Sequence, residues 1–453
     1  MRRLGVWCGL LAGSAAAQVT VFENVNVLPM DRERVLPGWS VVVEDGRIIQ
    51  VAPAAKAKVP QGAQRIPGAG KYLMPGFAEM HGHLPGPNTP PEQVESILFL
   101  YVANGVTTVR AMQGGPAHLE LRKRVADGKL LGPILYVAGP AFSGQSAASV
   151  EAAQKMVEDQ KAAGYDLLKV QEGLSRAVYD AIVATARKRN IPFGGHVAQD
   201  VGVPHAIVSR QTSIDHLDNY LDALEAADSP IRNAEPAVRA QQLVFHLDER
   251  KIPELAKATA KAGVWNVPTM ALWEMFFSIE SGEAWRQKRP EVKYLPRPMI
   301  DGWVKQKDAQ VAKSLAAILA FANNDKVSPR VIEMRRKILK GLQEGGCKIA
   351  FGTDSPQLFS VPGFSIHREM AAMVAAGLTP FQVLESGTRN VGEYFGTLSG
   401  TVEAGRTADL ILLEANPLED VANVARRAGV MVRGRWIPES EIRERLAKIA
   451  AAN

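Results

Sequence analysis

The chain has 453 residues, of which 46% are hydrophobic and 22% are charged, and its formal net charge is +6. This composition excludes a disordered or fibrous chain, and the length suits one large catalytic domain with a smaller companion. The positive excess is small and no long basic run carries it, so we expect neither a nucleic-acid partner nor a membrane partner.

The first 17 residues have the pattern of a secretory signal peptide. Arg2 and Arg3 precede an apolar stretch that is too short to span a bilayer, and residues 15–17 are all alanine. An N-terminal helix of the folded domain is the alternative. Cleavage after residue 17 would leave Cys347 as the single cysteine and therefore no intrachain disulfide. We expect an exported bacterial protein, periplasmic or secreted.

Both ends of the remaining chain are rich in predicted strands. These strands cover residues 19–22, 39–43, 48–51, 408–413 and 430–436. Asp45-Gly46 between two of them is a tight-turn dipeptide, so residues 39–51 predict a β-hairpin. Strands at both ends around a different middle predict a small β-sandwich domain built from both termini, comprising residues 18–73 and 399–440.

Residues 74–398 alternate between short apolar runs and helical stretches. The runs at 107–109, 134–138, 167–170 and 349–352 predict buried strands, and the stretches at 149–163 and 175–189 predict helices. Alternation over some 300 residues indicates an α/β fold with a parallel sheet, and the length favours a closed (β/α)8 barrel. Catalytic groups in such barrels lie at the C-terminal ends of the strands.

His81 and His83 form the first candidate pair at a strand end. Because they lie two residues apart on an extended segment, both imidazoles point to the same side. One strand can therefore supply two nitrogen ligands to one metal ion. A His-X-His motif alone is a weak signal.

Lys169 lies inside the apolar segment Leu167-Leu168-Lys169-Val170. A buried lysine is costly unless something compensates its charge. One interpretation is an ion pair with a carboxylate such as Asp166 or Glu172. The other is carboxylation of the lysine by carbon dioxide, which would give a carbamate able to bridge two cations.

Three further candidates follow later predicted strands: His196, His216 and Asp354. Each alone has an ordinary structural interpretation, such as a helix cap for Asp354. Four histidines, one lysine and one aspartate at successive strand ends are much more specific. Near a metal, Asp354 could serve both as a ligand and as the catalytic group that moves a proton.

Residues 271 to about 335 predict a helical lid over the barrel mouth, where loops usually carry specificity. Its aromatic residues indicate an apolar or aromatic substrate group. Arg297 is a candidate to hold a substrate carboxylate, with a solvated surface arginine as the alternative. Tyr220, four residues after His216, is a candidate donor to the reacting oxygen, with simple packing as the alternative.

These residues together resemble the amidohydrolase superfamily. The matching elements are Pro75-Gly76-Phe77 before His81 and His83, Lys169, His196, His216, Asp354, and the phrases at 215–219, 351–354, 376–380 and 400–410. The chain is most similar to the prolidase-like, imidazolonepropionase-related branch, which includes metal-dependent dipeptidases and amidases of N-acyl amino acids. Two features depart from relatives: the loop at 139–146 has no histidine, and Gln199 replaces the glutamate usual in deaminases.

The resemblance implies a distorted (β/α)8 barrel with a flanking β-sandwich. It implies one divalent cation held by His81, His83, Lys169 and Asp354, and a second held by Lys169, His196 and His216. Imidazole ligands favour zinc, and a hydroxide bridging the metals would attack a small amide or peptide substrate. Hydrolysis of cyclic amides, lactones or esters is an alternative, as is a non-catalytic periplasmic metal-binding protein. The sequence is also compatible with a homo-oligomer, since large barrels often associate.

Overall fold

The computed structural model describes residues 19–320 and 324–453, so the predicted signal peptide at 1–17 lies outside the described residues. The strands are β1 (Val19–Val27), β2 (Leu36–Glu44), β3 (Arg47–Pro53), β4 (Gln64–Pro67), β5 (Tyr72–Pro75), β6 (Phe77–Gly82), β7 (Val106–Ala111), β8 (Ile134–Val137), β9 (Leu168–Val170), β10 (Phe193–Gly195), β11 (Ser213–Asp215), β12 (Trp265–Val267), β13 (Lys348–Ile349), β14 (Leu410–Leu413), β15 (Arg427–Val432) and β16 (Arg435–Pro438).

The helices lie mainly between the strands of the central region. They are α1 (Pro91–Ala103), α2 (Pro116–Ala126), α3 (Val150–Ala163), α4 (Arg176–Arg189), α5 (Gly202–Val208), α6 (Tyr220–Ala223), α7 (Pro236–Gln242), α8 (Ile252–Ala262), α9 (Met270–Phe277), α10 (Gly282–Gln287), α11 (Arg297–Ala320), α12 (Val327–Glu344), α13 (Ser365–Ala375), α14 (Pro380–Ser386), α15 (Arg389–Phe395) and α16 (Glu439–Ala452). Ser149 and Ser175 begin α3 and α4 by accepting backbone N–H groups, as N-cap serines do.

Strands from both ends of the chain share one eight-stranded sheet. Its order is β16-β15-β14-β5-β1-β2-β3, and β4 pairs with β1. The predicted hairpin is β2–β3, in which Asp45 and Gly46 both have positive φ angles, of 48° and 75°. Apolar side chains of β1, β2, β5 and β14 pack into a core of their own.

The central strands are parallel and form two sheets, β6-β7-β8 and β13-β12-β11-β10-β9. Backbone hydrogen bonds join the two sheets at both edges. The N–H of Asp166 donates to the carbonyl of Val137 at 2.9 Å, and the N–H of Met80 donates to the carbonyl of Phe351 at 2.8 Å. This α/β arrangement with parallel sheets matches the predicted fold class, and it brings the C-terminal ends of the eight strands to one side.

Two parts of the chain differ from the sequence-based expectation. Residues 271–335 are largely helical, but α12 begins at Val327 and runs to Glu344, where it packs against α8. In addition, β16 is followed by a helix, α16, that was not predicted from the sequence. Ile442 and Leu446 of α16 are buried in the large core that the parallel strands and their helices share.

No helix within residues 19–320 and 324–453 is both long enough and apolar enough to cross a membrane.

The contact of Gly363 with α1 fixes the loop between β13 and α13. Gly363 has a φ of 76°, and a Cβ atom there would lie 2.2 Å from the backbone oxygen of Leu100. We expect Gly363→Ala to lower the free energy of unfolding by about 2–4 kcal/mol, because strain from the positive φ adds to the steric clash.

Gly263→Ala is the matched control for this substitution. Gly263 has a similar φ of 71°, but nothing lies within 4 Å of a Cβ atom there. Its cost is therefore the conformational part alone, about 1 kcal/mol. Urea unfolding followed by circular dichroism measures both variants. Equal losses in the two variants would contradict the steric argument.

Candidate metal centre

All six predicted metal ligands line one cavity of about 300 Å³ at the C-terminal ends of the parallel strands. They are His81 within β6, His83 just after it, Lys169 within β9, His196 after β10, His216 after β11 and Asp354 in the loop after β13. The structure thus brings together residues up to 273 positions apart in the chain, from His81 to Asp354. Their role as metal ligands stays a prediction.

The four imidazoles pack closely, and two of them, His196 and His216, are hydrogen-bonded from outside the cavity. The ring centroids of His81 and His196 lie 4.4 and 4.6 Å from that of His216. His81 Nδ1 lies 2.7 Å from Asp215 Oδ2, His196 Nδ1 lies 2.6 Å from Asp218 Oδ2, and His216 Nδ1 lies 2.8 Å from Thr269 Oγ1. A partner on one ring nitrogen fixes the ring and leaves the other nitrogen for a metal.

Among the described residues, one nitrogen that faces the cavity lacks a hydrogen-bond partner. His216 Nε2 is buried and has no hydrogen-bond partner. The two carboxylate oxygens of Asp354 lie 3.7 Å from His81 Nε2 and from His216 Nε2, which is too far for a good hydrogen bond. His83 Nε2 lies 2.6 Å from Asp354 Oδ1. One nitrogen or oxygen atom each from His81, His83 and Asp354 lies within 4.8 Å of the others.

Lys169 lies at the floor of this cavity with 2% of its surface exposed. Its Nζ is 3.3 Å from His81 Nε2. Burial lowers the pKa of Lys169, although the charges of Asp215 and Asp354 oppose that shift. Neither partner considered from the sequence holds the ammonium group, since Asp166 pairs with Arg122 and Glu172 is exposed beside His196.

The backbone is strained where the strands deliver these groups. His216, Asp354 and Thr269 have φ angles of 63°, 62° and 45°, in the left-handed region that residues other than glycine rarely adopt. Each costs on the order of 1 kcal/mol or more and persists only where the surroundings impose it. Such strain at three neighbouring strand ends is typical of a functional site.

A buried ion pair lies directly beneath the cavity. Arg110 in β7 and Asp215 in β11 are both 0% exposed, and Arg110 Nη2 donates to the two oxygens of Asp215 at 3.1 and 2.9 Å. The other nitrogens of Arg110 donate to the Met80 carbonyl, Ser213 Oγ and Tyr394 Oη. Burial opposes both charges, but the partners outweigh it, so the pKa of Arg110 is raised and that of Asp215 is lowered.

A second buried carboxylate, Glu79, connects β6 to the loop that carries Asp354. It accepts hydrogen bonds from the backbone N–H groups of His81 and Thr353, at 3.1 and 2.7 Å, and from the Thr353 hydroxyl. Burial raises the pKa of Glu79 to about 8. Its contacts hold β6, the first of the parallel strands, against the loop after β13, the last of them.

Arg110, Asp215 and Glu79 were not predicted as site residues from the sequence. The signal that identified Lys169, a charged residue inside an apolar strand, is weaker for Arg110, which follows the apolar run at residues 107–109. Glu79 and Asp215 are indicated by their positions. Glu79 lies two residues before His81, and Asp215 lies directly before His216.

The lid contributes one wall of the cavity through α9 and α11. Leu272, Trp273 and Phe276 of α9 line the cavity together with Gln306 of α11. Buried Glu369 of α13 accepts the first two N–H groups of α9 at 2.8 Å each, which caps that helix.

The two predicted substrate contacts are corrected by the structure. Tyr220 is 1% exposed and does not line the cavity, because its hydroxyl donates to Asn266 Oδ1 of β12 at 2.8 Å in the interior. Arg297 is exposed at the start of α11 and lines a separate surface depression with Asp301 and Asn453. Neither side chain reaches the six candidate ligands.

Comparisons with known proteins agree with this fold. The sequence model of the amidohydrolase family matches residues 72–437. Ochratoxinase from Aspergillus niger is 24% identical over 447 residues, covering 91% of this chain and 84% of that protein. Among solved structures, bottromycin amidohydrolase superposes with a TM-score of 0.70 at 22% identity, covering 96% of this chain and 90% of that one. A Xaa-Pro dipeptidase with bound methionine superposes with a TM-score of 0.65 at 18% identity. The match covers 93% of this chain and 100% of that one.

Removing Arg110 tests the importance of the buried pair. We expect Arg110→Met to lower the free energy of unfolding by about 3–5 kcal/mol, because it leaves Asp215 charged and unpaired in the interior. The double variant Arg110→Met with Asp215→Leu should recover part of that loss, since no lone charge remains. Chemical unfolding of both measures the difference.

Lys155→Met is the control, because Lys155 pairs with Asp159 on an exposed helix surface where such pairs contribute little. A loss in Arg110→Met no larger than in Lys155→Met would contradict the assigned role of the buried pair.

Proposed function

The chain belongs to the amidohydrolase family and is thus a hydrolase acting on amide bonds, and on that premise we propose that it is an exported hydrolase with a binuclear metal centre. The observation that carries the proposal is the convergence of His81, His83, Lys169, His196, His216 and Asp354 on one cavity. In the family pattern, His81, His83, Lys169 and Asp354 would hold one cation, and Lys169, His196 and His216 the second.

The chemical nature of these donors supports zinc. Imidazole and carboxylate ligands suit zinc, and His216 Nε2 is a buried nitrogen without another partner. We propose that Lys169 is carboxylated by carbon dioxide. This would convert a costly buried ammonium group into an anion with two oxygen donors. Two divalent cations there would supply a water nucleophile that ionises near neutral pH and a positive charge for the carbonyl oxygen.

The side chains around the two cations would then have separate roles. Asp354 lies within reach of both halves of the centre and would take the proton of the attacking water and return it to the leaving amine. Asp218 and Thr269 hold His196 and His216 in fixed ring orientations through hydrogen bonds, and Asp215 lies 2.7 Å from His81 Nδ1.

Helix α9 forms one wall of the cavity and would limit the access of bulk water to the reacting bond.

We further propose that the eight parallel strands form a closed, distorted (β/α)8 barrel. The hydrogen bonds between β8 and the start of β9, and between β6 and the residues after β13, support closure at both edges. Residues 74–398 would then be the catalytic domain, with residues 18–73 and 399–440 as the flanking β domain. We propose a small amide or peptide molecule as the substrate.

Metal analysis of purified protein tests the binuclear centre. We expect about two divalent ions per chain in protein prepared without chelators, in line with two cations sharing one bridging ligand. Lys169→Ala should bind about one ion or fewer and lose at least about 100-fold in kcat/KM, since both cations lose a ligand. Inductively coupled plasma mass spectrometry gives the metal content, and an amide-hydrolysis assay gives the rate.

Lys348→Ala serves as the control, because Lys348 lies on a parallel strand but pairs with Glu393 outside the cavity. It should keep the metal content of the wild type. Wild-type protein that binds no metal, or Lys169→Ala protein that retains two ions, would overturn the proposed centre.

A further inference from the structure

Four glutamine side chains line the cavity beside the six candidate ligands: Gln113, Gln171, Gln306 and Gln357. They come from four separate places, namely the loops after β7, β9 and β13 and the lid helix α11. A glutamine amide both donates and accepts hydrogen bonds and carries no charge. The polar part of the cavity outside the metal centre is therefore neutral.

The rest of the lining is apolar. Leu272, Trp273 and Phe276 come from α9, and Leu358 comes from the loop after β13. Trp273 packs edge-on to His216 with ring centroids 6.3 Å apart, so this wall reaches the metal centre itself. An aromatic or branched apolar group of a bound molecule would lie against it, next to the scissile bond.

Charged side chains are confined to the metal centre. Among the described residues that line the cavity, the charged groups besides the imidazoles are Lys169 and Asp354, and no arginine is present. Arg335 lies behind Trp273, where its guanidinium stacks on the indole ring at 4.9 Å and donates to the Pro268 carbonyl. It is thus separated from the cavity by the indole.

Two acidic side chains, Glu172 and Asp218, adjoin His196. One oxygen atom each of Glu172 and Asp218 lies within 4.8 Å of a ring nitrogen of His196 and of each other. A carboxylate brought into this cavity would lose water and find no side-chain cation outside the metal centre. The acidic pair would add repulsion.

We propose that the substrate of this site is a neutral amide, with an aromatic or branched apolar group against the lid wall and no free carboxylate beside the scissile bond. The proposal rests on the proposed amide hydrolysis. It selects against the dipeptides and N-acyl amino acids that the resemblance favours, because both carry a free carboxylate. N-acyl amino acid amides and other uncharged amides have the required chemistry, since their terminal carboxamide can pair with the glutamines.

A matched ligand pair tests this directly: N-benzoyl-L-phenylalanine and N-benzoyl-L-phenylalaninamide, which differ only in the terminal group. Binding is measured by isothermal titration calorimetry to the Asp354→Asn variant as purified, in which loss of the proton-moving carboxylate slows turnover. We expect the amide to bind at least about tenfold more tightly than the acid. Equal affinity, tighter binding of the acid, or binding of neither would overturn the proposal.

Two arginine variants test whether the glutamines determine this preference. Gln113→Arg and Gln357→Arg, each in the Asp354→Asn background, place a guanidinium at the cavity wall. Either should shift the affinity ratio toward the acid by about tenfold, because a bidentate ion pair becomes available. Gln287→Arg is the control, since Gln287 is exposed on α10 outside the cavity, and it should leave the ratio unchanged. An unchanged ratio in both cavity variants would overturn the proposal.

Turnover separates this inference from the proposed function. Metal-loaded wild-type protein is assayed with the same pair, and release of benzoate or ammonia is measured. Faster hydrolysis of the acid would support amide hydrolysis and overturn the neutral-substrate proposal. Hydrolysis of neither compound, together with tighter binding of the amide, would contradict amide hydrolysis of this type and support the neutral binding site.

Discussion

The ion pair of Arg110 and Asp215 fixes the position of the candidate metal centre. The two charges have no access to water, so each depends on the other and on the hydrogen bonds around them. Arg110 joins β7 to β11, and it also contacts Met80 in β6 and Tyr394 in α15. Asp215 in turn lies against His81 Nδ1. The orientation of a candidate ligand is thus coupled to the packing of three parallel strands.

The lid depends on a second set of buried contacts made to the same scaffold. Glu369 of α13 caps α9, while Arg335 of α12 stacks on Trp273 of that helix. Burial raises the pKa of Glu369 to about 7 and lowers that of Arg335 to about 10. The wall of the cavity is therefore held by groups that are costly to bury, and such contacts fix one conformation of α9 rather than add much stability.

Much of this arrangement follows from the sequence, because alternation of strands and helices predicts where strand ends meet. His81, Lys169 and Asp354 were predictable as one cluster for that reason. Tyr220 was not, since the chain turns through the left-handed residues His216, Leu217 and Asn219 before it reaches α6. A sequence pattern gives the end of a strand, but it does not give the direction of a side chain after such a turn.

Arg110 was not predicted because the length of its strand is not evident from the sequence. The apolar run at residues 107–109 ends just before it, so the arginine resembles a polar residue leaving a strand, while β7 continues to Ala111. Strand length is set by pairing with β6 and β8, which are neighbours distant in sequence. The four glutamines were not predicted because uncharged amides are common on loops and helix surfaces, so their positions in the sequence do not indicate a site.

The charged groups lie beneath and at the floor of the cavity, whereas the neutral groups lie nearer its mouth. Arg110 and Asp215 neutralise each other beneath the floor, and the candidate ligands concentrate ionisable groups at the floor itself. The glutamine amides and the apolar side chains of α9 lie nearer the mouth of the cavity. Low polarity above a charged centre strengthens the electrostatic interactions made at that centre. A further fixed cation on the wall would repel bound metal ions, whereas neutral amides recognise polar groups without that cost.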